Sequence, residues 1–291
     1  MHLQKIISQI KLLNKNGAQA VFQTYKTIVS QEWIIAQWFD GEKNWGDSIN
    51  PIVIEYFSKR KVVHSNLLLN IYSRPIYMAI GSIIETCNDK KTIVWGSGLI
   101  SDGGKPLVKP NKICAVRGPR TREQLIKNNI SCPRIYGDPA LLFPRIYRPD
   151  VEKKYKLGII PHYVDAASPQ LKKYEAHPEI KIINVRDDVF NFVDDICMCK
   201  SIVSSSLHGL IAADAYGIPS LWMKMSDRIV GGTFKFLDYY ESIGLMNASP
   251  VSINSLKDVD DVVDLCNKNP LNIDLDGLVD SCPFFPEILD K

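Results

Sequence analysis

Short apolar runs alternate with amphipathic stretches along most of the chain, a pattern that predicts strands followed by helices. Trp33–Phe39 has the continuous apolar character of a buried strand and opens into the polar loop Asp40–Ser48. The next apolar positions, Ile49, Ile52, Val53, Tyr56 and Phe57, follow helical spacing, with Pro51 tolerated in the first turn. Ile76–Ser82 and Thr92–Gly98 predict two more strands ending at glycine loops, and Ile113–Leu125 passes from strand into helix. After a polar, proline-bearing stretch the pattern restarts. Lys156–His162 and Ile180–Val185 predict strands, Val189–Cys199 an amphipathic helix, and the run from Ser201 a strand, a serine turn and a helix stopped by Gly217 and Pro219. Residues 228–233 form a glycine-bearing loop, and 234–244 and 255–268 have helical character.

Strand–helix alternation in both halves predicts an α/β protein of two doubly wound, Rossmann-like domains facing one another across a cleft. The boundaries fall at residues 1–147 for the first domain, 148–155 for the linker and 156–291 for the second, with the C-terminal helices free to pack back on the first. In such folds ligands gather where strand carboxyl ends meet helix N-termini.

Several residues occupy such junctions. Asn44, Gly46 and Asp47 form one group: Gly46 lets backbone approach a ligand, and Asp47 can orient or deprotonate a sugar hydroxyl, although Asp47 or Ser48 serves equally well as a helix cap. Gly96 and Ser97 make a close turn, but the sequence from Gly96 lacks the third glycine and the later acid of a dinucleotide fingerprint. Arg117 and Arg120 suit a bidentate anion clamp, or equally ion pairs with nearby acids. Asp138 is either a cap or a site carboxylate, while His162 and Asp165 lie at another strand end. Ser204, Ser205 and Ser206 are placed to cap the helix that carries His208 and Gly209 in its first turn, beside unpaired N–H groups that seat phosphate or carboxylate. Packing of Leu207, Leu210 and Ile211 on a sheet accounts for the same segment without a ligand.

Composition narrows the classes. The 291 residues, 45% of them hydrophobic, suffice for one large or two medium cores. A net charge of +3 with scattered basic residues argues against nucleic-acid binding and fits an anionic substrate. The seven cysteines are irregularly spaced, and Cys197-Met-Cys199 lacks the spacing and histidine pair of a zinc site, which predicts reduced thiols, no metal and a cytoplasmic location. No membrane span or signal peptide is evident. Leu3, Ile6, Ile7, Ile10 and Leu13 recur at helical spacing among Lys5, Lys11 and Lys15, which allows a docking helix or a peripheral contact with the inner face of the membrane.

Seven motifs occur in a recognisable order: Asn44-Trp-Gly-Asp-Ser48, Ala79-Ile-Gly-Ser82, Val94-Trp-Gly-Ser-Gly98, Val116-Arg-Gly-Pro-Arg120, Tyr136-Gly-Asp-Pro-Ala140, Ile160-Pro-His-Tyr163 and Ser204-Ser-Ser-Leu-His-Gly209. Together they resemble the polysaccharide pyruvyltransferase family over roughly residues 30–245. The resemblance implies a GT-B-like pair of domains and phosphoenolpyruvate as donor substrate, with no cofactor. It also implies formation of a pyruvate ketal on a sugar of a bacterial surface or exported polysaccharide, or on its lipid-linked precursor. His208 matches the family's catalytic histidine, Arg117 an arginine expected to hold the donor, and Asp47 an acid of the first glycine loop. Some relatives carry a basic residue one or two positions before the histidine, where this chain has Ser206 and Leu207. Arg120, Arg228 and the helix N-terminus are the expected substitutes.

The chemistry suits those residue types. Phosphoenolpyruvate carries a carboxylate and a phosphate, so its site needs fixed positive charge and N–H donors. An imidazole titrating near neutrality, His208, is the expected proton donor to the methylene carbon, with Asp47 serving the acceptor hydroxyl. His162, Ser205, Ser206, Gly209, Gly96, Ser97 and Arg228 complete the expected binding surface. A nucleotide-sugar glycosyltransferase shares the two-domain cleft and is the alternative; a non-catalytic glycan binder using Trp38, Trp45, Trp95 and Trp222 is a second.

Overall fold

The computed structural model describes residues 17, 19–27, 30, 32–69, 73–255, 258–266 and 271–284. A first helix, α1 (residues 19–27), precedes a parallel sheet of β1 (Trp33–Ala36), β2 (Lys61–His64), β3 (Ile76–Met78), β4 (Thr92–Trp95) and β5 (Lys112–Ala115). Its order is β2-β1-β3-β4-β5. The helices α2 (Trp45–Ser48) and α3 (Asn50–Ser58) join β1 to β2, and α4 (Pro119–Lys127) follows β5. A second parallel sheet contains β6 (Tyr155–Ile160), β7 (Ile180–Ile182), β8 (Cys199–Ser204), β9 (Ser220–Lys224) and β10 (Val251–Ser252), in the order β10-β9-β8-β6-β7. Around it run α5 (Lys172–Glu175), α6 (Val189–Cys197), α7 (Leu207–Ala215), α8 (Phe234–Ser242), α9 (Val259–Leu265) and α10 (Leu275–Asp280).

Parallel strands covered on both faces need continuous apolar sequence, and β4 is buried at every position. β2 and β9 escape the sequence pattern for identifiable reasons. β2 begins at exposed Lys61 and has only Val62 and Val63 as an apolar run, while β9 starts directly after the Pro219 that reads as a helix stop. Residues 45–48, expected as loop, turn into the short helix α2 because Asn44 caps them: its Oδ1 accepts from the Asp47 N–H at 3.1 Å.

The two sheets repeat one topological device. From β1 the chain goes to β2 on one side and returns to β3 on the other; from β6 it goes to β7 on one side and returns to β8 on the other. Each sheet therefore has a switch point at which successive crossovers diverge and leave a crevice beyond the strand carboxyl ends.

One apolar cluster spans both sheets. Trp45 is its link: its N–H donates to Val185 O at 2.8 Å, its indole Nε1 donates to Val189 O at 3.2 Å, and its ring packs on Phe143 and Phe192. On the far side Trp95 Nε1 donates to Leu278 O at 2.9 Å, and Phe284 packs on Tyr77 and Trp95, so α10 lies against the first sheet.

A buried polar cluster adds a second tie. Arg117 Nε donates to Asp238 Oδ2 at 2.9 Å, and Thr121 donates to the same carboxylate through N (2.8 Å) and Oγ1 (2.7 Å). Both charged side chains are fully buried. All seven cysteines are thiols, and burial pushes that of Cys199 up to about 12. No helix among the described residues is long and apolar enough to cross a membrane, and the amphipathic stretch at positions 3–13 lies outside those residues.

Removing one member of a buried ion pair strands the other, at a cost of about 3–5 kcal/mol. Asp238→Ala is expected to lose stability of that order in urea unfolding. A loss below about 1 kcal/mol would show that the cluster is solvated and contributes little.

Candidate functional site

The two switch points open into the same cavity, of about 290 Å³. The segment after β1 supplies Phe39, Asn44 and Asp47, and that after β3 supplies Gly81, Ser82 and Glu85. From the second sheet come His162 and Tyr163 after β6, and Ser206 and His208 after β8. Lys235 of α8 completes the wall. A larger cavity of about 420 Å³ between α1 and the β1–β2 edge is lined mainly by apolar groups such as Trp33, Val62 and Leu67. Its one titratable group, His64, is engaged with the Trp38 ring and backbone.

His208 is held by steric contact more than by hydrogen bonding. A Cβ at Gly46 would lie 1.9 Å from His208 Nδ1, so the absence of a side chain there lets the imidazole lie on the backbone of α2. On its other edge Nε2 is 3.8 Å from Asp138 Oδ2, too far for a hydrogen bond. Neither atom has a hydrogen-bond partner among the described residues. Burial, reinforced by Lys235, Arg117 and His162, pushes the imidazole down to about 3. Burial likewise pushes Asp138 up to about 7, while its other oxygen accepts from Ala140 N at 3.0 Å. Asp138 thus caps the turn that follows it and also faces the histidine. The expectation that His208 titrates near neutrality is corrected: burial and the neighbouring cations favour the neutral imidazole.

Asp47 stands across the cavity. Burial raises it to about 7 and Asp138 adds to the shift, against the opposing hydrogen bond from Asn44 Nδ2 and the charge of Lys235. Because Asn44 performs the capping, the Asp47 carboxylate is left for the cavity. Asn50, buried one turn further on, fixes the geometry: Nδ2 donates to Gly46 O, Asp47 O and Ile80 O, and Oδ1 accepts from Ile80 N at 3.0 Å. It clamps the segment carrying Asp47 to the one carrying Gly81 and Ser82. Lys235 is 9% exposed and has no carboxylate within 4.0 Å among the described residues. Burial and Arg117 lower it to about 8.

Of the residues singled out by sequence, Asn44, Asp47, His162, Ser206 and His208 line the cavity. The others lie behind it or away from it. Gly46 makes room for His208 rather than for a ligand. Ser205 Oγ accepts from His162 N at 2.9 Å, and Gly209 packs on Ser204 and Ile160. Ser206 occupies the N-cap of α7, yet its hydroxyl makes no capping bond; Ser204 Oγ accepts from Ser206 N at 3.0 Å instead. Gly96, with φ +92°, abuts Pro139 and Gly137 O, and Ser97 is buried beside it. Arg117 presents nothing directly to the cavity: besides Asp238 it donates to Leu99 O at 2.7 Å and to Ser82 Oγ at 2.5 Å, so Ser82 stands between it and the void. Arg120 binds Glu241 at 2.7 and 2.8 Å, and Arg228 binds Asp165 at 2.7 Å, both off the wall. For Arg117 and Arg120 the ion-pair alternative describes the position, and Arg228, expected in the binding surface, is likewise taken up by an acid. His162 is pushed down to about 4 by burial and Lys235.

Lys235, Ser82, Tyr163 and Asn50 were not foreseen as site residues. Lys235 had one visible signal, a single cation inside the aromatic run Phe234-Lys-Phe-Leu-Asp-Tyr-Tyr240 of a helix whose other face is apolar.

Fold and cavity together define an α/β protein with acid–base groups gathered at two meeting switch points. The profile of the family described as polysaccharide pyruvyl transferase matches residues 46–227, and the chain belongs to that family. It is similar to uncharacterized protein L143 of Acanthamoeba polyphaga mimivirus, 32% identical over 222 residues, 73% of this chain and 75% of that one. It is also similar to the succinoglycan biosynthesis protein ExoV of Rhizobium meliloti (strain 1021), 23% identical over 216 residues, 72% of this chain and 64% of that one. Membership makes this a transferase family protein of polysaccharide biosynthesis, with pyruvyl transfer as the family's role.

The raised Asp138 gives a stability signature. Folded at about 7 and unfolded near its ordinary 3.8, the carboxyl keeps its proton longer in the native state, so its contribution to stability falls as pH rises from about 4 to 7 and is level above. Asp138→Asn, which keeps the bond to Ala140 N, is expected to gain stability relative to the parent across that window. Parallel unfolding curves at pH 4, 5, 6, 7 and 8 check it; a difference independent of pH would place the titration elsewhere.

Proposed function

We propose that this protein transfers the pyruvyl group of phosphoenolpyruvate to two hydroxyls of one sugar, forming a cyclic ketal and releasing inorganic phosphate. The sugar belongs to a polysaccharide or its lipid-linked precursor. The observation that carries the reading is that His208 and Asp47, from different sheets, line one cavity at the switch points. A GT-B-like arrangement of two domains is part of this reading, and the two parallel five-stranded sheets support it.

The steps follow from the groups present. His208, protonated once an anion has entered, gives its proton to the methylene carbon of the donor, leaving positive character on the carbon that bears the phosphate ester oxygen. One sugar hydroxyl attacks that carbon and Asp47 takes its proton, a task suited to a carboxylate held near 7. The C–O bond to phosphate then breaks, the second hydroxyl attacks the same carbon, and loss of its proton closes the ketal. Leading N–H groups of α7, at the positive end of a nine-residue helix, stabilise negative charge beside His208.

Removing the proton donor is expected to reduce turnover about 10²- to 10⁴-fold, so His208→Ala should lose transfer by that factor in a phosphate-release assay with a sugar acceptor. Turnover within a few-fold of the parent would remove His208 from the reaction.

The pH profile is a separate test. The productive free enzyme carries one proton on the His208–Asp47 pair, whose groups sit at about 3 and about 7. Above pH 7 that proton is lost, so kcat/KM is expected to fall about tenfold per pH unit there. Asp47→Asn should be slower and lack this limb. A parent profile flat to pH 9 would overturn the pairing.

A further inference from the structure

Cations buried in proteins are normally matched by carboxylates, because an ammonium taken out of water without a counter-charge is costly. Arg117 obeys the rule, with Asp238 in direct contact and every direction of its guanidinium engaged. Lys235 breaks it. Its side chain is over nine-tenths buried, it lines the cavity, and among the described residues no carboxylate or hydrogen-bond acceptor is paired with its Nζ. Two charges act on it, Arg117 behind Ser82, which opposes its proton, and Asp47 of α2, which favours it; the imidazoles of His162 and His208 nearby are both pushed toward the neutral form.

We propose that Lys235 is the anion-holding residue of this cavity: its ammonium takes the phosphate or carboxylate of the ligand, and the ligand's charge is thereby delivered beside His208. The identity of that anion as phosphoenolpyruvate rests on the function proposed above; the anion site itself does not. Among the described residues no other lysine or arginine lines the cavity, and Arg117, Arg120 and Arg228, off its wall, are each paired with an acid. The position also explains how a neutral imidazole becomes an acid. Lys235 and Arg117 are among the charges that keep His208 unprotonated, while the Asp138 carboxyl stands 3.8 Å from its far edge. An anion on Lys235 cancels the nearest of those cations and adds negative charge of its own, so binding draws a proton onto the cavity.

Lys235→Met tests this, because it keeps an unbranched stem of similar length and removes only the charge. If the lysine is there for a ligand, the empty variant is more stable than the parent at pH 7, since an unmatched buried charge is gone. Folded at about 8 and unfolded near 10.5, the lysine's penalty is fully present below pH 8 and disappears toward pH 10.5, so the gain in Tm should vanish over that range. Calorimetric titration with inorganic phosphate and with phosphoenolpyruvate is expected to show binding about 10- to 100-fold weaker in Lys235→Met, the loss usual for a charge-assisted hydrogen bond, with Lys235→Arg closer to the parent. Parent titrations in buffers of different ionisation enthalpy should show proton uptake at pH 7.

A methionine variant that binds both anions like the parent, or a parent that binds neither, would overturn the proposal. So would a variant with lowered Tm and unchanged affinity, the signature of a purely structural lysine. Undiminished pyruvyl transfer in Lys235→Met would sink this assignment and leave the transfer reading standing. Phosphate binding that depends on Lys235 in a protein that never turns over phosphoenolpyruvate would do the reverse.

Discussion

The contact between Gly46 and His208 is the constraint on which the rest of the arrangement depends. It brings the start of α2, at one switch point, against the first turn of α7, at the other, at a distance that leaves no room for a Cβ. Everything placed next to that contact inherits its geometry. Asp47 follows Gly46 and is turned toward the cavity because Asn44 supplies the cap, and Asn50 ties the same turn to Ile80. On the other side Ser206 precedes His208 and Ser205 holds the backbone of His162. Trp45, adjacent to the glycine, then fills the hydrophobic side of the junction. A single glycine therefore sets both the closure of the molecule and the relation of its carboxylate to its imidazole. An alanine at position 46 would force one to yield, and a packed junction resists such shifts.

The parts of this design legible in the sequence are those with local causes. The strand ends at Gly81, Gly96 and Pro161 and the stop at Gly217 are written in residue type, as is the placement of His208 in a first turn. Relations between distant residues are not. Strand order is invisible in the pattern, so the coincidence of two switch points could not be read from it. Arg117 is conspicuous in the sequence, but its partner Asp238 lies 121 positions away, and that pairing turns an apparent ligand clamp into a tie between the β5–α4 junction and α8. Lys235 is the converse, an inconspicuous lysine in a helix that becomes a cavity residue only because α8 is buried against both halves. The capping of α2 fell between these extremes: the sequence offered Asp47 and Ser48, and the side chain with the right reach was Asn44 three residues before.

Two buried cations in one molecule show how burial separates structural from functional charge. Arg117 and Asp238 satisfy each other through Thr121, Ser82 and Leu99, and such a cluster can fix the relative position of its elements without leaving any capacity for a ligand. Lys235, with no acid paired to it among the described residues, keeps the capacity that Arg117 lacks. The same division runs through the acids: Asp238 is fully engaged, whereas Asp138 keeps one oxygen unpartnered, directed at His208.

This imbalance has a direction. With the carboxyls raised and the imidazoles lowered, Asp47 and Asp138 hold protons in preference to His208. An anion reverses that order locally, because it favours charge on the imidazole and opposes it on the carboxyls. The cavity is therefore poised so that the acid and the base of the proposed transfer exchange protonation states on occupancy. Lys235 meets the Phe236 ring at 5.7 Å but no carboxylate among the described residues, and a resident carboxylate beside it would perform the reversal permanently and leave nothing for the ligand to do.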